Sequence, residues 1–453
     1  MWRKYGIKKE QLLFDDRALA ALIIPLIIEQ LLTVLVGMAD SVMVANVGEA
    51  AVSGVSLVDN VMILFIYLFA ALASGGAVVA GQYLGQKNRQ MACKAATQML
   101  WFVAFIALFV MAGIYLSKWF ILHIVFGQTE AEVMRQAEIY LLIVTASIPF
   151  IAIYDSGAAI FRIMGNSKIS MQVSILMNIV NVSGNALLIY GCGWGVAGAA
   201  VPTLLSRMLA AILITALLAQ EKRAVHIEKT FRYVPDWRMI KRILGIGIPN
   251  GLENSMFQIG KILVLSIVST YGTTAIAANA VGNVITSFQT LPGQAVTLAI
   301  TTVIARCVGA GDYKQAEFFT RKLVGITYGS LLLVNLAVFP FIPSILSVYH
   351  LSLQTAETAR QVLSFFTVSC VLIWPVSFAL PAVLRAAGDA KFTMYVALSS
   401  MWICRVVLSY VLGTCLEMGL MGVWVAGVVD WCVRSILMGL RYKNGKWKEI
   451  RVI

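Results

Sequence analysis

Two acids, Glu29 and Asp40, sit inside an apolar run from Leu22 to Gly48, "LIIPLIIEQLLTVLVGMADSVMVANVG". A carboxylate in hydrocarbon costs on the order of 2.5 to 3.5 kcal/mol even on lenient insertion scales, so both must face protein or water. They are separated by about three helical turns, which puts them near one face of an undistorted helix. Burial disfavours the ionised form, so a carboxyl in this setting can take a proton from one side of a barrier and release it to the other. Asp40 is the candidate for that chemistry, set against a simpler role at the lip of the membrane with Ser41 or Asn46 as partner. Glu29 follows Pro25 by about one turn, where a carboxyl can meet backbone freed by the proline or a neighbouring Ser or Asn, and a framework role is expected first.

Other polar residues recur at helical spacing. Asn178, Asn181 and Asn185 form an i, i+3, i+7 stripe in "ISMQVSILMNIVNVSGNALLIYG", which must face protein or water; interhelical hydrogen bonding and a cavity role both remain open. Asp155 is a further intramembrane acid. Later in the chain come Lys261, Arg405 and the i, i+4 pair Asp430 and Arg434, the last expected to be a structural ion pair. Lys261 and Arg405 are candidates for holding substrate or for pairing with an acid.

The elements that carry these residues are membrane helices. Of the 453 residues 60% are hydrophobic and 13% charged, and mean hydropathy is +0.84, far too apolar for a soluble protein. Uncharged runs such as "MLWFVAFIALFVMAGIYL" are long enough to cross ~30 Å of hydrocarbon as a helix, and they exclude the alternating pattern of a membrane barrel. Twelve such segments begin near residues 18, 52, 97, 136, 169, 196, 243, 275, 323, 361, 392 and 418. With both termini cytoplasmic, 28 of the 35 Lys and Arg fall in cytoplasmic segments, three in outer loops (Lys118, Arg135, Arg360) and four inside spans (Arg207, Lys261, Arg405, Arg434). That asymmetry predicts the orientation and accounts for the net charge of +13 without nucleic acid. The apolar run behind the charged N-terminus is too long for a signal-peptide core, so this end is expected to be retained. The seven cysteines are scattered with no CxxC pair, and His123, His226 and His350 lie far apart, so no disulfide framework, metal or cofactor is expected.

The chain also repeats itself. An offset of 224 lays Pro25 on Pro249, Glu29 on Glu253, Gly48 on Gly272 and Gly85 on Gly309, and an offset of 223 lays "FRIMGNSKISM" on "LRAAGDAKFTM". The expected fold is an all-α integral membrane protein, with twelve transmembrane helices in two six-helix lobes related by a parallel internal repeat. The lobes are expected at 1–219 and 243–453, joined by a basic linker at 220–242. The paired prolines Pro25 and Pro249 should bend their helices. Asp40 falls opposite Val264 and Asp155 opposite Phe378, so these acids belong to one half alone and are candidates for function rather than scaffold.

At these residues the sequence resembles the multidrug and toxic compound extrusion family, MATE. The resemblance rests on the "P(x3)E…MAD" first span, the loops "GQYLGQKNRQMA" and "ARCVGAGDYKQA", and the loops "FR(x2)GNSK" and "LR(x2)GDAK", in this order and repeated at one spacing. It implies two lobes forming a V around a cavity open to one side at a time, no enzymatic activity, and export of organic, often cationic, compounds against protons or sodium ions. It implies an ion-coupling role for Asp40, with Asn181 and Asn185 as its polar companions on span 5, although some relatives carry an acid where this chain has Asn185. Asp155 joins this set as a one-sided acid. Span 10 lacks the acid that sodium-coupled relatives often place there, so proton coupling is expected first, as in the branch resembling DNA-damage-inducible protein F. Glu29, Gln30, Asn178, Glu253, Asn254, Lys261 and Arg405 are the candidate cavity residues. The expected partners are small drug-like molecules, the coupling ion and the bilayer of the cell membrane, and the chain is expected to act as a monomer. Sodium-coupled export and flipping of a lipid-linked oligosaccharide are the alternatives; the latter would want several cations for a pyrophosphate, and only Lys261, Arg405 and Arg207 are available.

Overall fold

The computed structural model of the chain describes residues 12–127, 129–228, 234–349 and 351–453. His350, the basic residues of the first eleven positions, and Lys229 and Arg232 of the linker lie outside them. Among the described residues, twelve long helical segments follow one another: α1 Asp16–Ala45, α2 Glu49–Gly85, α3 Arg89–Leu116, α4 in two pieces Ala131–Thr145 and Ile148–Ile163, α5 Ser167–Gly191, and α6 Ala197–Leu218. The second set is α7 Trp237–Ser269, α8 Thr273–Gly309, α9 Tyr313–Val348, α10 Leu353–Ala386, α11 Ala390–Cys415 and α12 Gly419–Lys443. Ten are long and apolar enough to cross a membrane, and the two pieces of α4, bent by 47°, pass together. The remaining one, α7, has the length, but Glu253, Asn254, Gln258 and Lys261 dilute its apolar run. Large apolar side chains stay exposed on the outer faces, as Phe109 at 81% and Leu116 at 88% do, which suits a lipid solvent and no other.

Several helices begin before their apolar stretch does, because polar side chains cap and extend them. Asn88 accepts from the Met91 amide at the start of α3, and Asp312 accepts from Gln315 at the start of α9. Those two caps are 224 residues apart, as are many turn residues. Gly48 and Gly272 both hold φ in the left-handed half, at 139° and 89°. The same spacing sets Lys87, φ 60°, against Gly311, φ 69°, and Glu417, φ 55°, against Gly193, φ 68°. α1 and α7 run on through Pro25 and Pro249 without a break. Each proline lacks the amide its helix would use, so the carbonyls of Ala21 and Gly245 have no intrahelical partner there.

Close packing uses small residues. A Cβ on Gly75 of α2 would fall 2.7 Å from the Gly247 amide of α7, so these helices meet backbone to backbone. A Cβ on Gly184 of α5 would lie 2.7 Å from Cβ of Pro202 on α6. Contacts divide the described chain into two units, residues 20–251 and residues 12–19 with 252–452. The first residues of the chain join the second unit by specific bonds: the Leu13 amide donates to Gln315 Oε1 at 2.9 Å, and Phe14 meets Phe319 edge-on. The second unit has an aromatic core in which Trp374 stacks on Phe378 at 4.6 Å and Phe366 packs against Trp431.

Candidate functional site

The unit of residues 20–251 gathers its polar residues around Asp40. Helix α5 turns Asn181 and Asn185 to one side, one helical turn apart, and both are buried. Asn185 Nδ2 donates to Asp40 Oδ1 at 2.8 Å. One end of the Asn181 amide reaches Asp40 Oδ1 and Oδ2 at 3.0 and 3.2 Å, and the other reaches Thr203 Oγ1 of α6 at 3.0 Å. With the nitrogen toward Asp40, the amide donates to an ionised carboxylate and accepts from the threonine hydroxyl. Turned over, its nitrogen donates to Thr203, and its oxygen faces the carboxyl, which must then carry a proton to donate back. In that state the Thr203 hydroxyl keeps its bond to the Ala199 carbonyl at 2.9 Å. The missing Cβ of Gly184 lets α5 approach α6 closely enough for this chain of contacts.

Near this cluster stand Asp59, which the sequence reading missed, and Arg207, which it noted only as a cation inside a span. Asp59 of α2 and Arg207 of α6 lie close enough to Asp40 to act on its charge, and Tyr140 of α4 faces Asp59. Arg207 Nη1 donates to Ser147 Oγ at 2.8 Å, at the bend of α4. The one-sided criterion would have found both, since the 224 offset sets Asn283 opposite Asp59 and Trp431 opposite Arg207. Asp155 of α4 is half-buried and sits within electrostatic reach of Arg207, Arg162 and Glu29, without a hydrogen bond or ion pair to another described residue. It therefore lies on the same patch of charge but not in the hydrogen-bonded group of Asp40.

Glu29 and Glu253 are engaged alike. Ser170 Oγ, in the first turn of α5, donates to Glu29 Oε2 at 3.0 Å, and Arg162 Nη1, in the last turn of α4, lies 3.4 Å from Oε1. Arg385 Nη1 reaches both oxygens of Glu253 at 3.2 and 3.1 Å. Each acid is thus tied to the arginine of its own half's repeated loop. Gln30 and Asn254, the next residues along, are half-buried, as is Asn178, whose amide nitrogen has no described partner.

In the other unit the expected pair forms: Arg434 Nε stands 3.3 Å from Asp430 Oδ1. Arg405 lies 3.8 Å from the same carboxylate, and Lys261 on α7 caps the face of Phe257 at 5.2 Å. Among the described residues no group of His, Cys, Asp and Glu could hold a metal ion.

Known proteins match this chain over nearly its whole length. The MatE family pattern fits twice, at residues 25–187 and 249–411, each match opening on one of the paired prolines. The chain is 28% identical to the uncharacterized transporter YisQ of Bacillus subtilis, over 93% of each. It is 26% identical to the probable multidrug resistance protein NorM of Thermotoga maritima, over 99% of this chain and 97% of that one. Its fold superposes with a TM-score of 0.89 on the outward-facing conformation of a multidrug resistance MATE family transporter of the MOP superfamily, 21% identical, over 96% of both chains. Two copies of the family pattern together take in well over half of these residues, and the chain therefore belongs to the MatE family of membrane transporters.

Proposed function

We propose that this transporter exports organic, often cationic, compounds in exchange for protons, with Asp40 as the proton site. The observation that carries the reading is the ring of partners around Asp40: Asn185, Asn181 and, through it, Thr203, with Val264 standing where the repeat would place a second acid. Such a ring has two self-consistent hydrogen-bond patterns, one for the carboxylate and one for the acid, and the Asn181 amide turns over between them. Protonation removes a charge and reverses the donor direction along α1, α5 and α6. Helix α1 can respond because Pro25 has already cost it a backbone bond. Drug and proton must then disfavour each other's binding, and the effect is reciprocal. After drug leaves on the outer side, the empty protein reopens to the cytoplasm and releases the proton, with both termini on that side of the cell membrane. Exchange of one proton for one monovalent cation moves no net charge, so a pH unit sustains about a tenfold drug gradient whatever the membrane potential.

The test uses proteoliposomes with an imposed pH gradient, clamped potential and no sodium, loaded with a fluorescent organic cation. The wild type is expected to move the dye and Asp40→Asn to lose gradient-driven movement. Equal transport in both would remove Asp40 from the mechanism, and transport that starts only with sodium would assign coupling to that ion.

A further inference from the structure

Residues 252–452 hold a second polar cluster of opposite sign. Lys261 Nζ and Arg405 Cζ each lie 5.2 Å from the ring centroid of Phe257, and Arg434 Cζ lies 5.8 Å from it. Three cations thus surround one phenyl ring, with Asp430 as the acid among them, fully buried and paired to Arg405 at 3.8 Å and Arg434 at 3.3 Å. Arg434 is fully committed: its Nε donates to Ser400 Oγ at 3.1 Å and its Nη2 to the Ala397 carbonyl at 3.4 Å. Arg405 is not. Its five N–H groups find no hydrogen-bond acceptor on a described side chain, and its guanidinium rests about a van der Waals contact from where a Cβ of Gly427 would stand. The ammonium of Lys261 likewise has no acceptor among the described residues, and its side chain is exposed.

The backbone is built for this arrangement. Gly260 lets α7 close on Met401, since a Cβ there would lie 2.1 Å from the methionine methyl. Immediately afterwards Met401–Val407 winds as a π-helical turn that carries Arg405, a distortion with no counterpart in the first half, where Ser167–Ala186 stays regular. Offset 224 sets Arg405 opposite Asn181 and Lys261 opposite Gly37. The position that serves an acid in one half presents a cation in the other.

From this we infer that Lys261 and Arg405 form a binding site for an anionic group, a carboxylate or phosphate, carried on an apolar or aromatic body that packs beside Phe257. Three cations against the single acid Asp430, which Arg405 and Arg434 share, leave net positive charge and unused donors on Lys261 and Arg405, where an oxyanion gains charge-assisted hydrogen bonds. The chemistry fits two sources: a zwitterionic or anionic organic substrate, and the phosphate of an anionic lipid. This inference rests on the export reading only in naming the first as cargo.

The experiment compares a rhodamine bearing a free carboxylate with its methyl ester, which share one cationic ring system, by fluorescence anisotropy with the protein in phosphatidylcholine nanodiscs and no ion gradient. The wild type is expected to bind the acid about tenfold more tightly than the ester, the value of one charge-assisted contact. Lys261→Gln and Arg405→Gln each abolish that preference while leaving ester affinity within about twofold, and Arg405→Lys restores part of it. Asp40→Asn keeps the preference, which separates this site from proton coupling. Loss of the wild-type preference when phosphatidylglycerol is added, and not in phosphatidylcholine alone, assigns the site to a lipid phosphate. Equal affinity for acid and ester in phosphatidylcholine, or a preference unchanged in both glutamine variants, overturns the inference, and it does so even where the ester is exported normally.

Discussion

Glu29 and Asp40 look equivalent as letters, two acids on one face of one helix, yet their partners differ in kind. Glu29 meets a cation, Arg162, and a hydroxyl, while the hydrogen bonds described for Asp40 come from the amides of Asn185 and Asn181. A carboxylate paired to an arginine is fixed in place by its counter-charge; one bonded to amides that can turn over has two self-consistent hydrogen-bond patterns. The repeat made half of this legible, because Glu29 recurs as Glu253 and Asp40 does not recur. It could not reveal the partners, since Arg162 and Ser170 are more than a hundred residues away in sequence. Glu29→Gln leaves Arg162 short of its counter-charge in a largely buried place and should cost about 2 to 4 kcal/mol. Thermal unfolding in detergent should show a clear fall in midpoint, with transport per folded molecule retained, and Glu253→Gln should behave alike through Arg385. Normal stability with lost transport would move Glu29 from framework to function.

At the scale of elements, eleven of the twelve spans stand out by hydropathy and the repeat supplies α7 opposite α1, while the errors lay at their ends. α3 and α9 start several residues before their apolar runs, because Asn88 and Asp312 cap water-facing first turns that carry no hydropathic signal. The bend of α4 falls at Pro149, whose missing amide leaves the Thr145 carbonyl without its helical donor, a signal the sequence held; the π-helical turns of α5 and α11 were silent. How close two helices approach is likewise a tertiary fact. Gly184→Ala would drive a methyl into the Pro202 ring, which cannot swing aside, and should destabilise by about 1 to 3 kcal/mol. Because that contact sets α5 against α6, proton-driven transport should fall further than stability does. Gly113→Ala in α3, with nothing within 4 Å, is the control and should be neutral or slightly stabilising. The repeat also marks two strained turns. Lys87 and Glu417 hold left-handed backbone where the other half has Gly311 and Gly193. Replacing either by glycine relieves about 1 to 2 kcal/mol of strain and returns part of it as chain entropy, for a net gain of roughly 0.5 to 1 kcal/mol in unfolding experiments.

For the molecule as a whole, the sequence carries the repeat plainly, but not how the basic segment after α6 is used. The described residues of that segment, 220–228 and 234–236, are strapped along α3. Arg89 donates to the carbonyls of Glu221, Arg223 and Ala224, Gln98 bonds Val234 and Asp236, and Lys94 pairs with Asp236 at 2.6 Å. Asp236 also accepts from the amides of Arg238 and Met239, both at 3.1 Å, at the entry to α7. The Lys94 contact first, then these amides, hold its carboxyl below the usual carboxylate range. A group whose folded-state value is depressed contributes stability above its unfolded value of roughly 4, and that contribution is lost as pH falls through the folded value. Asp236 is half-buried but the side chain of its partner Lys94 is exposed, so the pair is screened and the contribution is modest. The wild type should therefore unfold at a higher temperature than Asp236→Asn at pH 7, and the gap should close as pH is lowered below about 4, where both carry a neutral side chain. Raised salt should narrow the gap at pH 7 but not remove it, since the amide contacts to Arg238 and Met239 are short-range. A gap that persisted unchanged at pH 3 would mean that the ionised carboxylate is not what ties the strap to α7.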